Sequence, residues 1–221
     1  FGPNVTPVVL SPQARHPILF KWWFNGSVTK ALKKYKPDVF FSPDGYLSLK
    51  THYPQVGVIH DLNFEHYPED LPKSASNYLR KYFPMFAKKA DRIITVSNYS
   101  KQDIIEQYEV EENKITVAHN GGSDSFRILT EDEKIEVRKG FSQGEEYFVF
   151  VGSLNPRKNL KRLVEAFANF KEQTKSKTRL LIVGEAMWKS EIDLDQNVLN
   201  KLGQDIGFTG HLTLSELTRV V

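Results

Sequence analysis

The sequence contains no cysteine. Disulfides and thiolate zinc sites are therefore excluded, and a reducing, cytoplasmic compartment is the expectation. Long apolar runs are also lacking. Stretches such as 147–151 fall far short of the roughly 20 residues that a membrane-crossing helix needs. Neither an initiator methionine nor a signal-peptide pattern opens the chain, which reads as a fragment boundary. Charge of one sign is not in excess: net charge is +3, with 15 Lys+Arg against 13 Asp+Glu in 1–124 and 15 against 14 in 125–221. Neither half is the basic footprint of a nucleic-acid binder, so no nucleic-acid partner is expected. Lysine clusters at Lys30, Lys33, Lys34, Lys36 and at Lys88, Lys89 read first as solvated helix faces. Peripheral contact with anionic headgroups at the inner membrane face is the weaker alternative. Phosphate-loop, G-x-G-x-x-G, G-x-S-x-G and H-E-x-x-H motifs are all missing.

What is present is enough for a folded core. Hydrophobic residues make up 40% and charged residues 26%, which argues against disorder. Seven short β-rich runs are predicted as strands, at 38–42, 56–60, 92–97, 114–119, 147–152, 179–184 and 206–209. Several are near-continuous Val, Ile, Leu and Phe, the pattern of strands buried on both faces of a parallel sheet. Helical patterns alternate with them. In 73–90, Leu79, Tyr82, Phe83, Phe86 and Ala90 recur at helical spacing. Ser97 caps a helix over 98–108, 160–175 carries Leu163, Val164, Phe167 and Phe170, and Thr213 with Glu216 has the capping-box spacing. Alternating β and α elements imply doubly wound α/β units. A domain junction is expected near 126–130, giving units 1–126 and 127–221, each looking incomplete.

In open α/β sheets ligands bind beyond the carboxyl ends of the strands. The unusual residues collect there: His60-Asp61, His119-Asn120-Gly121, Gly152-Ser153, Gly184-Glu185 and Gly210-His211. The most informative segment is 152–160. Gly152 lets a ligand approach the backbone, and Arg157 and Lys158 then flank Asn159, read as the N-cap of the next helix. Cations beside a helix N-terminus suit a phosphate-bearing ligand; an exposed basic turn is the competing reading. His16, His52 and His66 have no partner at metal spacing and read as ordinary surface or core residues, and no metal site is expected. His119 reads equally well as a turn residue, Asp44-Gly45 as a turn, and Trp22, Trp23, Phe24 as core or a partner surface rather than a sugar platform.

The stretch 148–167, FVFVGSLNPRKNLKRLVEAF, resembles the donor-binding domain of glycosyltransferase family 4, whose architecture is GT-B: two Rossmann-like domains facing a cleft. Segments 57–61 (GVIHD), 90–100 (ADRIITVSNYS), 114–121 (KITVAHNG), 181–184 (LIVG) and 210–217 (GHLTLSEL) are similar to the same family in the same order. The resemblance implies transfer of a sugar from a nucleotide diphosphate sugar to a glycan, lipid or other hydroxyl acceptor. It implies retention of configuration and no metal or bound cofactor beyond that co-substrate. It assigns Lys158 to the donor diphosphate with Arg157 as second cation, His60 to the catalytic position beside the transferred sugar, and Gly152, Gly184, Gly210, His211 and Leu212 to the donor nucleotide. Two departures stand out. Ser153 occupies a position where many members carry arginine, and neither the family's glutamate pair nor its N-terminal Gly-rich loop lies within the sequence. The 221 residues alone are therefore expected to be inactive. A GT-B epimerase and a non-catalytic nucleotide-sugar-binding module are the alternatives.

Overall fold

A computed structural model of the protein describes residues 2–12, 17–185 and 194–221. The chain divides into two compact units, Phe1–Gly121 and Gly122–Val221. The junction read from the sequence lies slightly later, at 126/127. The pair Gly121-Gly122 has open space around both Cα atoms, so no packing ties that point to either unit.

The first unit holds four parallel strands in the order β1 (Phe40–Ser42), β2 (Gln55–Val58), β3 (Arg92–Thr95), β4 (Ile115–Val117). Parallel neighbours need crossovers, and helices supply two of them. One is α4 (Lys73–Lys89), the other α5 (Asn98–Tyr108), whose first turn is capped by Ser97 Oγ accepting from Ser100 N at 3.0 Å. The core beneath α4 and α5 is built on Phe83, Phe86, Ala87, Ile93 and Ile104. Ahead of β1 run α1 (Pro17–Trp22), a π-helical turn and α2 (Thr29–Tyr35), and before α4 stands the single turn α3 (Asn63–His66). The sequence patterns marked none of these short pieces. The α2 lysines and the pair closing α4 are solvent-exposed, as helix-face residues should be.

The connection from β1 to β2 is irregular yet buried, with Leu47, Ser48 and Thr51 between 0% and 5% exposed. Buried backbone groups outside a sheet need partners. Gln55, itself fully buried, supplies two: its Oε1 accepts from Ser48 N at 2.9 Å and its Nε2 donates to Ser48 O at 2.9 Å. Asn25 Oδ1 accepts from Leu49 N, and the Thr29 and Ser48 hydroxyls pair at 2.6 Å. One side-chain amide thus acts as an extra rung of ladder.

The second unit opens with α6 (Glu131–Ser142), whose capping box joins Thr130 and Glu133. The hydrogen bond from Arg127, then those from Thr130, hold the Glu133 carboxyl down to about 2. A three-stranded parallel sheet follows in the order β5 (Tyr147–Val151), β6 (Arg179–Val183), β7 (Ile206–Gly210). The helix α7 (Leu160–Thr174) crosses from β5 to β6; α8 (Gln196–Leu202) precedes β7, and α9 (Leu214–Val220) follows it. Only β6 is buried throughout. Its Leu180 and Ile182 pack with Leu160, Val164 and Phe167 of α7, while Leu181 and Val183 pack with Val137 of α6 and Val220 of α9. That period of two explains its continuous apolar run. By contrast β5 is an edge strand among the described residues, with Phe148 and Val151 exposed.

Replacing Gln55 by alanine strands a buried N–H and a buried C=O at Ser48. The expected loss is about 2–4 kcal/mol, since each unsatisfied group costs roughly 1–3 kcal/mol. Urea unfolding measures it, and a loss below about 1 kcal/mol would show that the loop relaxes to water.

Candidate functional site

The carboxyl ends of β5, β6 and β7 carry Gly152, Gly184 and Gly210, and backbone contacts draw the three together. Gly152 N donates to Val183 O at 3.0 Å, Leu154 N to Glu185 O at 2.9 Å, and Gly184 N to Gly210 O at 2.9 Å. Gly184 has φ +134°, and a Cβ there would stand 2.0 Å from the Gly152 carbonyl oxygen. No other residue fits. The result is a shelf of backbone without side chains at the sheet edge.

Beyond Gly152 the chain makes a 3-10 turn over Pro156–Lys158 and enters α7. The Lys158 side chain folds back across the shelf: its Cε is 3.8 Å from the position of a Cβ on Gly152. Arg157 and Lys158 are exposed, and neither forms an ion pair among the described residues. Asn159 is not the N-cap expected of it. It adopts a left-handed conformation (φ 52°, ψ 39°) and makes no side-chain capping bond. A residue that ends a tight turn in that conformation lacks the extended backbone a capping side chain needs. The start of α7 therefore has no side-chain cap, next to two cations.

The remaining donor-side residues sit near the same edge. His211 is exposed, whereas Leu212 is half-buried, packed against the Val137, Leu181, Val183, Val220 cluster. Glu185, noted in the sequence at this strand end but given no role, belongs here too: its Oε1 is 3.9 Å from the Cβ position of Gly210. The eight residues 186–193 after it lie outside the described residues.

His60 stands in the first unit, two residues past the end of β2, exposed, with Nε2 3.0 Å from Pro43 O. A carbonyl only accepts, so Nε2 carries the proton and Nδ1 keeps the lone pair in the neutral ring. The Asp44-Gly45 turn beside it is a close-packed corner, with Gly45 at φ +74° and its Cβ position 2.9 Å from Val58 O. His119 is held likewise, Nδ1 3.2 Å from Val96 O. Phe24 stacks on Tyr46 and Trp23 packs edge-on against Phe24, while Trp22 stays exposed. Among the described residues no three His, Cys, Asp or Glu side chains gather as for a metal ion. No helix there is long and apolar enough to cross a membrane.

Residues 2–124 match the family model described as Glycosyltransferase Family 4, and residues 131–220 that described as Glycosyl transferases group 1. The O-antigen chain mannosyltransferase B of Escherichia coli is 24% identical over 163 residues, which are 73% of this chain and 42% of that protein. The O-antigen chain mannosyltransferase RfbU of Salmonella typhimurium is 25% identical over 164 residues, 74% of this chain and 41% of that protein. The chain thus spans less than half the length of these relatives. The crystal structure of Anabaena Alr3699/HepE in complex with UDP-glucose covers 87% of this chain and 53% of its own, with a TM-score of 0.67 at 16% identity. That likeness shows the fold, an α/β chain of the GT-B class.

Gly184→Ala should be severely destabilising. A strained φ and a collision with backbone together cost about 2–5 kcal/mol, the sum of local strain and overpacking. Thermal unfolding measures it; a variant with the parental midpoint would mean that the strand ends are not in contact.

Proposed function

The chain belongs to glycosyltransferase family 4, and from that premise we propose that it takes part in transferring a hexosyl group from a nucleotide diphosphate sugar to an acceptor hydroxyl. Mannosyl transfer is the activity named for the relatives and UDP-glucose the ligand named for the structural neighbour; hexosyl nucleotides are the class common to both. The whole protein is the catalyst in this reading.

The observation that carries it is Lys158 lying over a side-chain-free shelf, beside Arg157 and an uncapped helix start. A backbone shelf admits a diphosphate closely. The lysine, the arginine and the first N–H groups of α7 then face the charge that grows on the leaving group. The bond from the anomeric carbon to the diphosphate oxygen breaks, and the bond to the acceptor oxygen forms on the same face of the sugar. The hydroxyl proton passes to the departing phosphate. Protein cations take the place of a metal in this scheme, and no bound cofactor enters it. Gly184, Gly210 and the backbone at His211 and Leu212 border the nucleotide. His60, its Nε2 tied to Pro43, presents Nδ1 to the sugar as the catalytic side chain.

Lys158→Ala should weaken UDP binding in calorimetry while uridine binds parent and variant alike. One charged hydrogen bond is worth roughly 1.5–3 kcal/mol. In the full-length enzyme kcat/KM should fall about ten-fold to a thousand-fold, and EDTA should leave parental turnover intact. Undiminished UDP affinity in the variant would reduce the loop to a solvated basic turn. His60→Ala should lower kcat more than it raises KM, as loss of a contact strongest in the transition state does. An unchanged kcat with a lowered melting temperature would make His60 a packing residue.

A further inference from the structure

Asparagine followed by glycine occurs twice in the sequence, at Asn25-Gly26 and Asn120-Gly121, and aspartate followed by glycine once, at Asp44-Gly45. Asparagine is among the thermolabile side chains. In such a pair the glycine nitrogen can attack the preceding side-chain carbonyl carbon and close a succinimide ring. With no Cβ, glycine puts nothing in the way of that approach. Ring closure also needs a backbone free to turn, a nitrogen without a hydrogen-bond partner and a side chain free to rotate. The sites differ in all of these.

Asn25 is locked. It lies in the π-helical turn Trp23–Val28, and its Oδ1 accepts from Leu49 N at 2.8 Å. Leu49 belongs to the β1–β2 connection, so swinging the amide away would leave that N–H without its partner. Asp44-Gly45 is closed as well. Gly45 N donates to Ser42 O at 3.4 Å, and its Cβ position is 2.9 Å from Val58 O.

Asn120-Gly121 is open. Both residues are exposed and belong to no helix or strand. The last bonds before them run from Ala118 N to Thr95 O at 2.8 Å and from His119 Nδ1 to Val96 O at 3.2 Å. The next backbone bond is Phe126 N to Ser123 O at 3.2 Å. Among the described residues neither the Asn120 amide nor Gly121 N has a hydrogen-bond partner. Chain neighbours aside, no atom stands within 4 Å of a Cβ placed on Gly121. The dipeptide closes the first unit, anchored by β4 on one side and unrestrained on the other.

We infer that Asn120-Gly121 is a site of spontaneous covalent modification, deamidation through a succinimide, and that the fold protects Asn25-Gly26 from the same reaction. Gly121 N gives its proton to hydroxide and attacks Asn120 Cγ. The new C–N bond forms as the bond from Cγ to Nδ2 breaks, and that nitrogen leaves as ammonia. Water then opens the ring at either carbonyl, giving aspartate or isoaspartate, with nothing oxidised or reduced. The product replaces a neutral amide by a carboxylate and lowers the net charge of +3 by one. As isoaspartate it also adds a main-chain carbon to the connection between the two units. The inference is independent of the transferase reading.

Incubating the chain in mildly alkaline buffer, folded and in parallel unfolded in guanidinium, tests it. Peptide mapping by mass spectrometry follows both asparagines, with electron-transfer fragmentation to separate aspartate from isoaspartate. Unfolded, the two should convert at similar rates. Folded, Asn120 should stay within about three-fold of its unfolded rate, whereas Asn25 should slow by more than about ten-fold, the equivalent of roughly 1.4 kcal/mol in barrier. Gly121→Val meets open space and should keep the melting temperature. Its branched side chain crowds the attacking nitrogen, so Asn120 should convert more than about ten-fold more slowly in that variant. An Asn120 that is stable in the folded chain, an Asn25 that converts there as fast as Asn120, or parental conversion in Gly121→Val would each overturn the proposal.

Discussion

The absence of one Cβ, at Gly184, is the constraint on which the second unit's functional edge depends. With any side chain there, the Gly152 carbonyl would have to move by more than an ångström to clear ordinary contact distance. Because it need not move, the hydrogen-bonded ladder continues past the strands: Gly152 reaches Val183, Gly184 reaches Gly210, and Leu154 reaches Glu185. These bonds are individually modest, near 1 kcal/mol each. Their effect is geometric. They hold three strand ends level and leave backbone as the only surface, and they start the 3-10 turn from a fixed point. The place of Lys158 over Gly152 follows from that start.

The first unit solves the same problem with side chains. Its edge is shaped by Tyr108 holding Glu65 and Asp103 holding His66, so that one helical turn too short to persist alone keeps its place. Burial, followed by the neighbouring Glu65 charge, pushes the Tyr108 hydroxyl far above its usual range. The protonated hydroxyl is the form that donates to Glu65. The irregular β1–β2 connection is treated the same way, with Gln55 serving as backbone for Ser48.

Which of this could be read from the sequence follows from how local each cause is. The seven strands were legible because each is a short run rich in β-branched, aliphatic or aromatic residues between turn residues, β6 being the one buried along its whole length. The three strand-terminal glycines and the basic loop were legible for the same reason: each directly follows such a run. The turns α1, α3 and α8 were not, since four to seven residues carry too little periodicity to stand out. Asn159 was read as a cap because Asn before an apolar run usually is one; the preceding Pro156 turn, which forces the left-handed backbone, overrode that preference. His66 was read as ordinary because its partner lies 37 residues away, a separation that no spacing rule connects.

Charge shows the same contrast between composition and placement. A net +3, spread evenly over both halves, says nothing about ligands. The structure sorts that balance by edge. At the second unit's edge Arg157 and Lys158 stand without ion-pair partners among the described residues, and the Glu185 carboxylate lies on the β7 side beside Gly210. At the first unit's edge Asp61 and Asp103 line a cavity that no cation enters. A phosphate oxygen about 5 Å from one carboxylate is opposed by roughly 3 kcal/mol at an effective dielectric near 20, and is favoured by a similar amount beside one ammonium. Two edges built on the same strand-to-helix plan thus differ by several kcal/mol in what they admit. A negatively charged group is thereby favoured beside Arg157 and Lys158 and opposed beside Asp61 and Asp103.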